Sequence, residues 1–315
     1  MNGGRAALCV EQKELVAEGV VRLRLVDPRG VRLPDWAPGA HIDLNLSNGL
    51  TRQYSLCGNR WDAMSYEIAV LLEPNSRGGS EFIHRQLQVG DLVQMGGPRN
   101  NFRLVPADSY LFVAGGIGIT PLLPMIEHAA KMEAPWTLLY SGRQLSSMAF
   151  IDRLQSYGDR VVIRSRDTQG RFDLGAAVSN LRQGAKVYCC GPTSMIDALE
   201  QFCRSLPTGA LRRERFTAKV QTSPARSTAY EVELARSGKV LTVEPGESVL
   251  NAILKAGAPL LASCREGLCG TCETTVLSGV PDHRDSILSD TERERNLSFY
   301  PCVSRAASDR LVIDL

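Results

Sequence analysis

Residues 20–26 alternate apolar with basic side chains (Val21-Arg22-Leu23-Arg24-Leu25), the period of a half-buried strand. Residues 41–46, His-Ile-Asp-Leu-Asn-Leu, alternate in the same way, and 68–72 form a short, wholly apolar run. Asp27-Pro28-Arg29-Gly30 and Ser47-Asn48-Gly49 mark turns between such runs. Short strands with regular turns, from residue 6 to about 105, predict a small antiparallel barrel. One helix interrupts it over 81–87, with Ser80 as the expected N-cap and Gly90-Asp91 as the stop.

The pattern changes at Tyr110. Apolar strands are expected at 111–114, 136–140, 161–164 and 186–190. Helices are expected between and after them, at 122–132, 148–157 and 194–205. Strands alternating with helices predict a parallel sheet with crossover helices. The polar stretch 217–228 reads as a linker. Beyond it, 230–234 and 239–243 predict a hairpin around Ser237-Gly238, 249–255 a helix, and 311–313 a last strand. Three domains result, over 1–105, 106–222 and 223–315.

Composition narrows the class. In 315 residues, 43% are hydrophobic and 22% charged, enough apolar material for folded cores and against disorder. A net charge of +2 argues against a nucleic-acid binder driven by bulk charge. Residues 1–10 carry no apolar core after a basic stretch, and no apolar run reaches the length of a membrane span, about 18 residues. The expectation is a cytoplasmic protein with no membrane partner, whose nine cysteines are thiols available for metal or redox work.

Cys264, Cys269 and Cys272 are spaced C-x4-C-x2-C, with Cys302 as the fourth candidate, the plant-type spacing of a [2Fe–2S] cluster. Two irons need four thiolates, and a tight loop must place three of them together. Gly267 and Gly270 permit that loop, and their amides are expected to face the cluster sulfides. The alternative, a structural zinc site, usually uses two closely spaced pairs. Cys9, Cys57, Cys189 and Cys203 are expected as small buried apolar residues.

Gly116-x-Gly118-x-x-Pro121 follows a strand and is expected to open a helix, so that a backbone can approach a pyrophosphate. The alternative is a tight turn without ligand. Cys190-Gly191-Pro192 sits at the carboxyl end of a strand, where open α/β sheets bind ligands, although a lone Cys190 also suits a core. In the barrel region, Arg52-x-Tyr54-Ser55-Leu56 offers a cation for phosphate, a ring for stacking and a hydroxyl for a polar edge. Arg77-Gly78-Gly79-Ser80 offers a second anion-binding turn. Simple N-capping by Ser80, and an ordinary strand pair for Arg52 and Tyr54, are the alternatives.

Taken in order, Arg52–Leu56, Gly78–Ser80, Gly115–Pro121, Cys190–Pro192, Glu214-Arg-Phe216 and the Cys264 loop resemble the phthalate dioxygenase reductase family, which includes vanillate O-demethylase reductase subunits. The resemblance covers essentially the whole chain. It implies a flavin barrel, a nicotinamide domain and a C-terminal β-grasp ferredoxin domain, an order that points to FMN. By matching motif it implies that Arg52, Tyr54, Ser55, Leu56 and the strand Ala69-Val70-Leu71 meet FMN. Gly78, Gly79 and Ser80 would hold its phosphate, Thr120 would lie near its ring, and Phe216 would cover one ring face. Gly116, Gly118 and Pro121 would line the dinucleotide pocket, with Cys190, Gly191 and Pro192 beside the nicotinamide. Arg143 would meet ribose, phosphate or only solvent. Ser55, Cys190 and Phe216 would stand closest to the chemistry.

The resemblance further implies NADH as donor and a Rieske-type non-haem iron oxygenase as acceptor, reached by a transiently docking monomer. An Arg beside the ribose can accommodate the 2′-phosphate of NADPH, and Arg143, Arg164 and Arg166 are candidates. NADH delivers two electrons together and a [2Fe–2S] cluster accepts one, so a flavin belongs between them. The rim at Arg265, Glu266 and Leu268 is the expected docking face. Competing classes are a non-catalytic redox sensor, which the absence of any signalling domain disfavours, and an oxidase, for which the cluster domain would be superfluous.

Overall fold

A computed structural model describes residues 6–219, 221 and 226–315. The chain divides into two compact units, Met1–Glu214 and Arg215–Leu315. The expected linker at 217–228 falls partly outside the described residues, at 220 and 222–225.

The first unit begins with six antiparallel strands: β1 (Ala6–Ala17), β2 (Val20–Val26), β3 (His41–Asn45), β4 (Thr51–Ser55), β5 (Ser65–Leu71) and β6 (Leu92–Arg99). Their order is β4-β3-β6-β1-β2-β5. A bridge between Leu56 and Ile68 joins the two outer strands and closes the barrel. The alternation in β2 sends Val21, Leu23 and Leu25 into the barrel core with Leu8, Ile42, Leu44 and Ile68. Arg22 and Arg24 face outward and pair across the sheet with Glu14 and Glu11, each at 2.6 Å. Exposed pairs of this kind contribute about 0–1 kcal/mol each, so the buried row, not the charged one, fixes the register. Helix α1 (Gly79–Arg85) starts earlier than expected. Its N-cap is Gly78, at φ 84°, and Ser80 lies inside the first turn. A backbone entering the helix through the left-handed region admits glycine, not serine, at the cap.

Five parallel strands follow: β7 (Ser109–Gly115), β8 (Trp136–Gly142), β9 (Val161–Ser165), β10 (Ala185–Cys190) and β11 (Leu211–Glu214), in the order β11-β10-β7-β8-β9. Phe112, Trp136 and Tyr188 pack on one face, and Leu111, Val113 and Val187 on the other. The glycine loop runs into a single 3-10 turn, Gly116–Ile119, before α2 (Leu123–Lys131). Pro121 therefore occupies the turn between them and not the first turn of the helix. The helix expected over 148–157 is cut to α3 (Ile151–Gln155), because Phe150 enters it at φ 65°, outside helical space. Short helices α4 (Arg166–Gln169) and α5 (Leu174–Ser179) follow β9, and α6 (Thr193–Phe202) follows β10.

In the second unit, β12 (Tyr230–Leu234) and β13 (Lys239–Val243) form the expected hairpin. Helix α7 (Val249–Lys255) is capped by Ser248, whose hydroxyl accepts the Asn251 amide at 3.1 Å. Then come β14 (Thr274–Ser278), β15 (Pro281–Asp282), α8 (Asp290–Arg295), β16 (Ser298–Phe299), β17 (Arg305–Ala306) and β18 (Arg310–Ile313). The sheet order is β13-β12-β18-β14-β16, with β18 parallel to β12. Val249, Ala252 and Ile253 of α7 pack on Val232, Leu234, Leu311 and Ile313, the mixed-sheet and helix layout of a β-grasp. Among the described residues no helix is long and apolar enough to cross a membrane.

Candidate redox site

The carboxyl edge of the parallel sheet meets the end of β4. Register places Cys190 between Ala114 of β7 and Glu214 of β11. Ser55, buried at the end of β4, donates its hydroxyl to Glu214 Oε2 at 3.3 Å. Residues 159 positions apart in sequence are thus joined. Loss of solvent at its carboxyl end pushes the Glu214 pKa up to about 8, against the smaller opposing pull of the Ser55 hydroxyl. At neutral pH it is mostly a protonated acid. Cys190 is fully buried, and burial, with Glu214 beside it, raises its thiol well above the usual range. Cys190 is therefore a neutral, compact wall and not a nucleophile.

Gly118 fits this corner because it lacks a side chain. A Cβ there would lie 2.3 Å from the Cys190 carbonyl oxygen. Thr120 is buried beside it and donates its hydroxyl to the Ile117 carbonyl at 2.9 Å. Ala69 and Leu71 share one face of β5, while Val70 between them belongs to the barrel core. The Leu56 side chain is also core, and its amide is taken by the Ala40 carbonyl at 2.8 Å. Tyr54 is half-buried, and burial raises its phenol. Phe216 lies in the second unit with its ring 43% exposed.

A second convergence sets Arg52 against the start of α1. Its guanidinium donates to the carbonyls of Thr51 at 2.9 Å and Arg77 at 2.8 Å. A Cβ on Gly79 would lie 2.7 Å from the Arg52 side chain. Ser76, which sequence reasoning did not single out, accepts the Gly78 amide at 3.1 Å and the Ser80 hydroxyl at 3.0 Å. A cation, a hydroxyl cluster and two glycines thus share one turn. That donor set fits a terminal phosphate such as that of FMN.

Between barrel and sheet lies a cleft of about 610 Å³. Gly116, Arg143 and Pro192 line it together with Arg166, Arg171 and Phe172, while Gly118, Pro121, Cys190 and Gly191 do not. Arg164 does not line it. It stacks on the Phe172 ring at 4.7 Å and donates to the Arg171 carbonyl at 3.0 Å.

In the second unit the four cysteines form two neighbouring pairs, Cys264 with Cys269 and Cys272 with Cys302. Among the described residues no group of three or more His, Cys, Asp or Glu could hold a single metal ion. Two pairs side by side fit two irons, each taking two protein thiolates. Amides already point at sulfur: Glu266 and Leu268 donate to Cys264 Sγ at 3.3 and 3.5 Å, and Cys264 to Cys269 Sγ at 3.5 Å. The Gly267 amide reaches Cys302. These are the donors that favour thiolate and added negative charge, supplied mostly by the neighbours of the glycines. Gly267 and Gly270 sit at φ 68° and 75°, and turn the chain so that those neighbours face inward. Of the other cysteines, Cys57, Cys189 and Cys203 are buried and Cys9 is half-buried.

A turn that fits a phosphate, a cleft at the carboxyl edge of a parallel sheet and two pairs of cysteines on one chain are the parts an electron-transferring reductase needs. Residues 232–307 match the 2Fe-2S iron–sulfur cluster binding domain. The phenoxybenzoate dioxygenase subunit beta of Ectopseudomonas oleovorans is 41% identical over 305 residues, covering 95% of each chain. A solved structure of phthalate dioxygenase reductase, described as modular for electron transfer from pyridine nucleotides to [2Fe–2S], is 34% identical, has a TM-score of 0.72, and is matched over 99% of this chain and 98% of its own. An intact self-sufficient cytochrome P450 monooxygenase contains a segment 37% identical with a TM-score of 0.93, covering 99% of this chain and 41% of that one. The chain belongs to the phthalate dioxygenase reductase family. It is an oxidoreductase with a 2Fe-2S iron–sulfur domain, in a family of reductase components of oxygenase systems.

Proposed function

We propose that the final acceptor is a Rieske-type non-haem iron oxygenase or demethylase, on which the chain docks transiently as a cytoplasmic monomer. FMN would supply the exchange between two-electron and one-electron chemistry, and the cluster the one-electron outlet. Arg52, with Gly78, Gly79 and Ser80, holds the flavin phosphate. Tyr54, Ser55, Ala69, Leu71 and Thr120 border the ring, while Val70 and Leu56 contribute through backbone and core. Gly116, Gly118, Pro121, Gly191 and Pro192 shape the nucleotide path, and Arg143 meets its phosphate. Glu214, held by Ser55, keeps a proton beside the ring, and Cys190 closes the corner against water. Cys264, Cys269, Cys272 and Cys302 ligate the irons. Within this reading 1–105 serves the flavin, 106–222 the nucleotide and 223–315 the cluster.

The observation that carries this reading is the arrangement of four cysteine sulfurs as two pairs, because it gives a nicotinamide-dependent enzyme a one-electron exit. The test is anaerobic titration with NADH, read by visible absorbance and electron paramagnetic resonance. Two electrons on the flavin and one on the cluster require about 1.5 equivalents of NADH per chain. Turnover of a Rieske oxygenase with this chain as sole reductant then tests the acceptor. Flavin bleaching at one equivalent with no cluster signal, in protein containing iron and sulfide, would refute the route.

A further inference from the structure

The wall of the cleft formed by the loops after β8 and β9 carries three guanidinium groups, from Arg143, Arg166 and Arg171. Among the described residues, the guanidinium groups of Arg143 and Arg171 form no ion pair or hydrogen bond, and that of Arg166 makes one long bond, 3.4 Å, to the Gly142 carbonyl. All three side chains are exposed to the cleft or to solvent. The segment that presents Arg166 and Arg171 is built and not loose. The buried Ser165 hydroxyl donates to Asp167 Oδ1 at 2.6 Å, and the Ser165 amide donates to Gln169 Oε1 at 3.1 Å. Arg164 clamps the far side through the Phe172 ring and the Arg171 carbonyl.

A carboxylate that accepts both ribose hydroxyls is what favours NADH, and it would repel a 2′-phosphate. Here the nearby carboxylates are engaged elsewhere. Asp167 takes the Ser165 hydroxyl and does not line the cleft. Asp173 lines it but caps α5, accepting the Ala176 amide at 2.9 Å. Glu18 and Glu73 belong to the opposite, barrel wall, and Glu18 accepts the Ser146 hydroxyl at 2.8 Å.

Sheet order fixes which end of the dinucleotide meets these arginines. The nicotinamide end belongs near Cys190 on β10, and β9 lies three strands away in the order β10-β7-β8-β9. At the usual strand spacing that is about 14 Å, comparable to the distance between the two halves of an extended dinucleotide. Phe172 and Phe202 line the same end, and Gly175 leaves Phe202 room, since a Cβ there would lie 3.1 Å from its ring. Two rings and a cationic wall suit an adenine with a phosphorylated ribose.

We infer that this cleft accepts NADPH as a second hydride donor, with Arg166 and Arg171 reading its 2′-phosphate. The inference rests on the reductase reading above. The redox step itself is unchanged. One hydride leaves C4 of the reduced nicotinamide for the flavin, the nicotinamide departs as the oxidised cation, and the 2′-phosphate takes no part.

The test measures cytochrome c reduction by the holoenzyme with NADH and with NADPH, in the native chain and in R166Q, R171Q and the double variant. Native enzyme is expected to use NADPH with a kcat/KM within about tenfold of that for NADH, the range one charge-assisted contact spans. The double variant is expected to lower the NADPH-to-NADH ratio at least about tenfold, and 2′,5′-ADP is expected to compete better than 5′-ADP in the native enzyme only. NADH bleaching the flavin while NADPH does not would overturn the inference and leave the reductase reading standing. An equal fall for both coenzymes in the variants would also overturn it, since the arginines would then hold the shared pyrophosphate. Failure of both coenzymes in the native enzyme would remove the inference together with the reading beneath it.

Discussion

Glu214 shows what one residue gains from its neighbours. In sequence it is the last of Leu-Arg-Arg-Glu, with nothing to separate it from a surface carboxylate. Register beside Cys190 and the Ser55 hydroxyl turn it into a proton-holding acid with a pKa of about 8. Because its folded pKa is raised, the folded state binds the proton more tightly than the unfolded one. Its contribution to stability is therefore intact at acid pH and declines as pH rises from the ordinary carboxyl range through about 8. The Glu214→Gln variant should keep the Ser55 contact and flatten the pH dependence of NADH oxidation between about pH 6 and 9. A pH–rate profile of kcat/KM measures this, and an unchanged alkaline limb would assign that limb to another group. Ser55 and Cys190 were legible as motif residues. Glu214 was legible only as part of a motif, because the signal for its role is its burial, and burial comes from tertiary structure.

At the scale of elements, the sequence marks strands better than the turns that join them. The alternation at 20–26 identifies β2, where one face is buried and the Arg22 and Arg24 face is half-open; the alternation at 41–46 identifies β3, although His41 and Asp43 are buried there as well. The start of α1 and the end of the glycine loop differ from expectation for a shared reason. Both are places where backbone geometry serves a close approach, and local helix propensity does not decide them. The first approach is Gly79 against Arg52, and the second is Gly118 against the Cys190 carbonyl. The Gly118→Ala variant should cost about 1–3 kcal/mol, because backbone on both sides must move; thermal unfolding of the flavin-loaded protein reads the loss. The Arg52→Ala variant should leave the fold intact and weaken FMN binding about ten- to a hundredfold, through loss of a charge-assisted contact. Recovery of flavin fluorescence on dilution reports that release. Arg171 escaped the sequence reading because it lies in an irregular segment after α4, where no periodicity points a side chain anywhere.

For the whole molecule, the division of labour follows the division into units. Phe216 apart, the residues assigned to flavin and nucleotide lie in the first unit, and the cluster cysteines in the second. Electrons must leave where the cluster is least covered. Cys264 and Cys302 are half-buried while Cys269 and Cys272 are buried, so the open edge is on the side of the first two. Arg265 is exposed there, with Glu266 and Leu268 half-covered beside it. Reversing the charges of Arg265 and Glu266 together should slow oxygenase turnover severalfold, mainly through association, and leave the cluster's resonance signal intact. Equal turnover at low and high salt would place the docking face elsewhere.

The strand at the centre of the C-terminal sheet, β18, is the last one in sequence, and it separates β12 from β14. A nascent chain emerging from the ribosome can therefore finish its flavin half while the metal half still lacks its middle. The segment carrying three cysteines leaves the tunnel before the sheet that supports it can exist. Iron is best delivered after β18 has emerged, and cells short of iron would accumulate a chain whose first unit is already folded.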